Sequence, residues 1–124
     1  MSIQSVNPAT GQVVETFEPT SPAALERVLT DVHEAFLDWR HRSFEERATP
    51  MRAVARLLRE RRAQYARTMA IEMGKPAVEG EAEIDKCALT CDHYAEHAAA
   101  LLAPEPHPTE AQRSYVRFDP LGVV

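Results

Sequence analysis

The chain has 124 residues, 44% of them hydrophobic and 27% charged, with a formal net charge of −5. That length suffices for one domain with a real core, because a folded chain of this size buries well over half of its extended surface. The acidic balance argues against nucleic acid, no apolar run approaches the roughly 20 residues that cross a bilayer, and the opening MSIQSVNPATG has neither the basic start nor the apolar stretch of a signal peptide, so a cytoplasmic protein with no nucleic-acid or membrane partner is expected.

Two β-prone runs, SIQSV and QVVETF, flank Asn7-Pro8-Ala9-Thr10-Gly11. Asn and Pro start turns and Gly takes positive φ, so residues 2–17 are expected to form a hairpin. Helical spacing follows over residues 21–42. Ser21 suits an N-cap, Pro22 the first helical position, and Leu25, Val28, Val32, Phe36 and Trp39 step by three and four along one face. That face is expected to be buried, with the single Trp in the core rather than stacked on a ligand.

A second helical stretch covers residues 44–73. Ser43 and Glu46 have capping-box spacing, and Pro50 is expected to kink the helix or to force a fresh start with Thr49 as cap. Met51, Val54, Leu58, Tyr65 and Met69 cluster within about 60° on a wheel of ~100° per residue, which leaves Arg52, Arg56, Arg59 and Arg67 on the wet side. Nine of the fourteen cationic residues fall within residues 40–67, and acids dominate residues 72–96. A phosphate-binding face would add stacking aromatics or a Gly-rich loop. This one has neither, so it reads as solvated or salt-bridged.

The four glycines, Gly11, Gly74, Gly80 and Gly122, form no dinucleotide fingerprint and no P-loop. In EMGKP, at residues 72–76, Gly74 stops one helix and Pro76 sits in the first turn of the next. Lys75 between them is expected to be a solvated helix-end lysine rather than a functional cation. The next helix spans residues 76–102, where Gly80 lowers helix propensity by about 1 kcal/mol relative to Ala.

That helix contains KCALTCDHYAEH, which poses a choice between a metal site, a redox pair and packing. Ile84, Cys87, Cys91, Tyr94, Ala98 and Leu101 fall on one stripe about 100° wide, so the cysteines are expected on the buried face. His93 and His97 lie to one side. One straight helix cannot bring four such ligands to about 2.0–2.3 Å from a tetrahedral zinc, although a partial site completed from elsewhere stays open. Two cysteines four apart are near the limit for a disulfide, and the flanks offer no base for a catalytic thiol. Packing as small apolar side chains is the expectation.

The Pro-rich residues 103–113 read as a loop, and SYVRFD, residues 114–119, alternates as a strand before Pro120. PLGVV then enters what reads as a buried strand, leaving an unpaired apolar edge. The chain is expected to be cut from a longer one.

Taken in order, Val6-Asn7-Pro8-Ala9-Thr10-Gly11, the Phe36 and Trp39 pair, the Arg-bearing helix, EMGKP, the following Glu-rich helix with Tyr94-Ala95-Glu96, and PLGVV at residues 120–124 resemble the amino-terminal part of the aldehyde dehydrogenase superfamily. EMGKP with YAEH and RSYVRFDPLG most resembles its succinate-semialdehyde dehydrogenase branch. The resemblance implies an α/β fold, with residues 1–113 as the start of the NAD(P)-binding domain and residues 114–124 as an oligomerisation-type strand followed by the start of the next strand. It implies a homo-oligomeric oxidoreductase without a metal, which oxidises succinate semialdehyde to succinate with NAD or NADP by thiolate attack, hydride transfer and glutamate-assisted hydrolysis.

The family's nucleophile lies in a Gly-Gln-x-Cys segment, its base in a Glu-Leu-Gly-Gly segment and its oxyanion asparagine in a Pro-Trp-Asn segment. None occurs here, and neither Cys87 nor Cys91 matches. No catalytic, cofactor-binding or metal residue is therefore assigned to the chain, and it is expected to be inactive alone. The helix of residues 79–102 is expected near the substrate entrance. The alternative is a freestanding helical interaction module that binds a partner through its Arg face or its terminal strand.

Overall fold

The computed structural model describes residues 2–124. Strand β1 (Ile3–Val6) pairs antiparallel with β2 (Val13–Phe17), with Ile3 opposite Phe17 and a bulge between Ser5 and Val6. In the turn, Asn7 Oδ1 accepts the Ala9 N–H at 2.9 Å and the Asn7 carbonyl accepts the Gly11 N–H at 2.8 Å. Gly11 has φ 70°, a conformation that a Cβ disfavours. The hairpin forms as the turn residues dictate.

Helix α1 (Pro22–Trp39) starts at its expected cap, where Ser21 Oγ accepts the Ala24 N–H at 3.2 Å. It ends at Trp39 rather than at residue 42. Its apolar face is not the core that the periodicity predicted. The helix has no buried residue, and Trp39 is 45% exposed and Val28 53%. Among the described residues no other helix or strand packs extensively along it. The chain does come near at Gly122, where a Cβ would lie 3.7 Å from the Phe36 ring.

Helix α2 (Phe44–Glu60) opens on a complete capping box: Ser43 Oγ accepts the Glu46 N–H at 3.2 Å and the Glu46 carboxylate accepts the Ser43 N–H at 2.7 Å. Of the two expected outcomes at Pro50, a kink or a fresh start, the fresh start does not occur: α2 runs through Pro50, and the Thr49 hydroxyl donates to the Glu45 carbonyl at 3.1 Å instead of capping a new helix. A proline inside a helix costs about 3 kcal/mol. Here the box has already fixed the preceding turn, and α2 is anchored on both sides of Pro50 by the buried Ala48 and Ala55. The break comes instead at Arg61, with φ −107° and ψ 18°, so residues 44–73 form two helices rather than one.

Helix α3 (Arg62–Met73) stops at Gly74, which has φ 72° and donates its N–H to the Ala70 carbonyl at 3.1 Å. Helix α4 (Ala77–Leu101) follows, with Pro76 as its N-cap rather than in its first turn. α2 and α3 both pack on α4. The core at these crossings is built mostly of small residues, Ala48 and Ala55 of α2, Ala66 of α3, and Gly80 and Ala88 of α4, with Ile84 of α4 as its one large apolar side chain among the described residues. The predicted stripe is thereby corrected, because Cys87, Tyr94 and Leu101 are exposed and Cys91 is only half-buried. Small residues allow helix axes to approach closely, and Gly80 and Ala88 face inward together with Ile84, the one member of the predicted stripe that is fully buried.

Beyond α4, strand β3 (Glu105–Pro106) pairs antiparallel with β4 (Tyr115–Val116), and the His107 N–H donates to the Ser114 carbonyl at 2.8 Å. The strand expected over residues 114–119 is reduced to its first two paired positions, and its partner comes from the expected loop of residues 103–113. Pro106 has no N–H and Pro108 follows closely, so the ladder cannot extend. The described residues form an α/β arrangement of four helices with two small antiparallel ribbons. Its accessible surface is 9996 Å², whereas a compact monomer of 13.9 kDa exposes about 6,700 Å².

Candidate functional site

The hairpin turn and the EMGKP segment, far apart in sequence, meet in space. Pro8 Cγ lies 3.1 Å from where a Cβ on Gly74 would stand, and Ser5 Oγ donates to Glu72 Oε1 at 3.2 Å. Gly74 is thus required twice over, by its left-handed backbone and by the proline ring against it. On the other side of Gly74, Lys75 pairs with Glu83 of α4. The expected solvated lysine is instead half-buried and holds the α3–α4 corner. Nothing in the sequence alone signalled the turn-to-corner contact, since neither segment carries a periodic or charge pattern that points to the other.

The segregation of charge has a structural answer. Arg59 of α2 pairs with Asp92 at 2.6 Å, and Arg62 of α3 reaches Asp85 at 2.9 Å and Glu81 at 3.4 Å, all on α4. Hydrogen bonding to Asp85, then its charge, raises the Arg62 pKa. Two further pairs, Arg52 with Glu45 at 2.6 Å and Arg56 with Glu60 at 2.9 Å, stay within α2. Of the arginines expected on the solvated or salt-bridged face, Arg52, Arg56 and Arg59 are in ion pairs and Arg67 is exposed. Water screens pairs as exposed as these, so they contribute little to stability. At the start of α2 the Arg47 guanidinium lies 4.4 Å from the Phe44 ring centre.

Helices α3 and α4 approach closely at Gly80, where a Cβ would stand 3.2 Å from the Ala66 Cα and Cβ. Helix propensity alone marks Gly80 only as a weak point of α4. Its place four residues before Ile84 and eight before Ala88 is the signal for a contact row.

Both cysteines are free thiols. Cys87 lies in a shallow groove with Glu83, Lys86 and Thr90, and Cys91 is half-buried one turn further on. His93 and His97 are exposed, with ring centres 4.6 Å apart and planes tilted by 58°. Among the described residues no cluster of three or more His, Cys, Asp and Glu could hold a metal ion. No helix among them is long and apolar enough to cross a membrane.

A nicotinamide cofactor would need a backbone cradle for its phosphates, and the glycines do not supply one. Gly74 and Gly80 are committed to Pro8 and Ala66, Gly122 to the neighbourhood of Phe36, and Gly11 to the hairpin turn. The residues present do not fit the cofactor.

The chain belongs to the aldehyde dehydrogenase family, whose model matches residues 1–124. It is similar to the probable NADP(+) succinate-semialdehyde dehydrogenase of Synechocystis sp., at 40% identity over 124 residues, covering 100% of this chain and 27% of that protein. It is 42% identical over 128 residues to the NADP(+) succinate-semialdehyde dehydrogenase of Mycobacterium avium, again covering 100% of this chain and 27% of the relative. Among solved structures, the succinic semialdehyde dehydrogenase of Streptococcus pyogenes, in complex with NADP+, superposes with a TM-score of 0.85 at 34% identity, covering 90% of this chain and 25% of that one. The chain thus spans about a quarter of the length of the relatives it matches, and its helices and ribbon match the amino-terminal part of their fold.

Proposed function

We propose that the chain is the amino-terminal part of an NADP-dependent aldehyde dehydrogenase that oxidises succinate semialdehyde to succinate. The observation that carries the proposal is the match along the whole chain, at 40% and 42% identity, to relatives named for that reaction. In the whole enzyme NADP supplies the hydride acceptor. No step is assigned to residues of this chain. Their part is scaffolding: the turn at Asn7-Pro8 braces the α3–α4 corner, and the Arg–acid pairs fix α4 against α2 and α3. In this proposal the β3–β4 ribbon belongs to an arm that pairs between subunits, and residues 1–113 begin the cofactor-binding domain. Lacking the reactive cysteine and the glutamate base, the 124 residues are inactive alone.

The alternative of a freestanding helical module is disfavoured, because it gives no reason for a match to the dehydrogenase relatives over the full chain. The reading frame beyond Val124 tests the proposal. Pro-Trp-Asn followed downstream by Gly-Gln-x-Cys, with semialdehyde-dependent NADPH formation by the product of the whole frame and none by the 124 residues, is expected. Turnover by the 124 residues themselves, or a frame without that cysteine segment, overturns it.

A further inference from the structure

We propose that His93 and His97 form a two-ligand surface site on α4 for a borderline divalent transition ion, with zinc, nickel and copper(II) as its class of ligand. The two residues are one helical turn apart, so their imidazoles project from the same side of α4. Their ring centres are 4.6 Å apart. Two imidazole nitrogens held about 2.0–2.1 Å from a shared ion, at angles between about 90° and 110°, place ring centres about 4.5–5.2 Å apart. The observed separation falls in that window. Both side chains are exposed, and the planes are tilted by 58° rather than stacked face to face, which leaves ring edges open to an ion.

Charge favours the same occupant. The Glu96 carboxylate is 3.9 Å from His97 Nε2, which places a negative charge beside the site. The geometry that rules out a four-ligand zinc on one straight helix does not rule out two ligands with solvent completing the shell. Such a site is open and exchangeable, unlike a structural zinc. Imidazole ligands select ions by the Irving–Williams order, so copper(II) should bind more tightly than nickel or zinc, these more tightly than manganese, and magnesium not measurably. This site is independent of the dehydrogenase reaction and needs none of its residues.

The test is a competition titration of the chain against a chromophoric chelator with zinc, nickel, manganese and magnesium in turn. One zinc or nickel per chain is expected. His93→Ala and His97→Ala should each weaken binding about tenfold or more, since either change removes the chelate advantage of a second tethered ligand. His41→Ala and His107→Ala should leave it unchanged, and far-UV circular dichroism should show the same helix content in all four variants. Zinc should also perturb the ring resonances of His93 and His97 before those of the other histidines. Equal affinity in the wild type and the double His93→Ala, His97→Ala variant, or equal weakening by the control substitutions, overturns the site.

Discussion

Gly80 illustrates how one missing methyl group sets a helix crossing. A Cβ there would meet the Ala66 backbone and side chain at 3.2 Å, and backbone cannot swing aside as the end of a long side chain can. Replacing Gly by Ala in a helix gains about 1 kcal/mol of propensity, whereas forcing atoms into a packed contact costs about 1–3 kcal/mol. Gly80→Ala is therefore expected to destabilise on balance, lowering the urea midpoint. A raised midpoint would mean that α3 and α4 part easily. Gly80 also marks what the sequence could and could not reveal. Its spacing with Ile84 and Ala88 was visible, but the assumption that the most apolar residues point inward gave the buried stripe to Cys87, Tyr94 and Leu101.

At the level of elements, helix starts were legible because capping is local chemistry. Ser21 and Ser43 cap α1 and α2 as their sequences dictate. The outcome at Pro50 was not legible, because it depends on Ala48 and Ala55 being held by α4. The same is true of α1: periodicity identifies an apolar face but not what lies against it. The cap of α2 also carries a pH signature. The Ser43 hydroxyl, then the Ser43 N–H, hold the Glu46 carboxyl below the ordinary carboxylate range. A carboxylate whose pKa is lowered on folding stabilises above its unfolded value, about 4.3, and that contribution is lost as the pH falls through the folded value. Ser43→Ala should cost about 1 kcal/mol at neutral pH. It should also shrink the loss of stability on acidification below about pH 4.5, read from urea midpoints across pH. An acid limb as steep as that of the wild type would exclude the cap as its source.

Over the whole molecule, the accessible area of 9996 Å² exceeds by roughly half the value for a compact monomer of this mass. Leu25, Val28, Leu29 and Trp39 on α1 and Val116 and Phe118 near the terminal ribbon contribute to it. Such surface normally belongs against other protein. The 124 residues should accordingly bind a hydrophobic dye and associate as concentration rises, with Trp39 emission that is quenched readily by acrylamide. A monodisperse solution with a shielded Trp39 would contradict the exposed α1 face.

The seating of Pro8 against Gly74 orders events during synthesis. The ribosome delivers the first ribbon early, yet its anchor does not exist until the α3–α4 corner has emerged, and a two-stranded ribbon on its own is barely stable in water. The ribbon is thus made before the residue that secures it, since Gly74 lies 66 positions after Pro8.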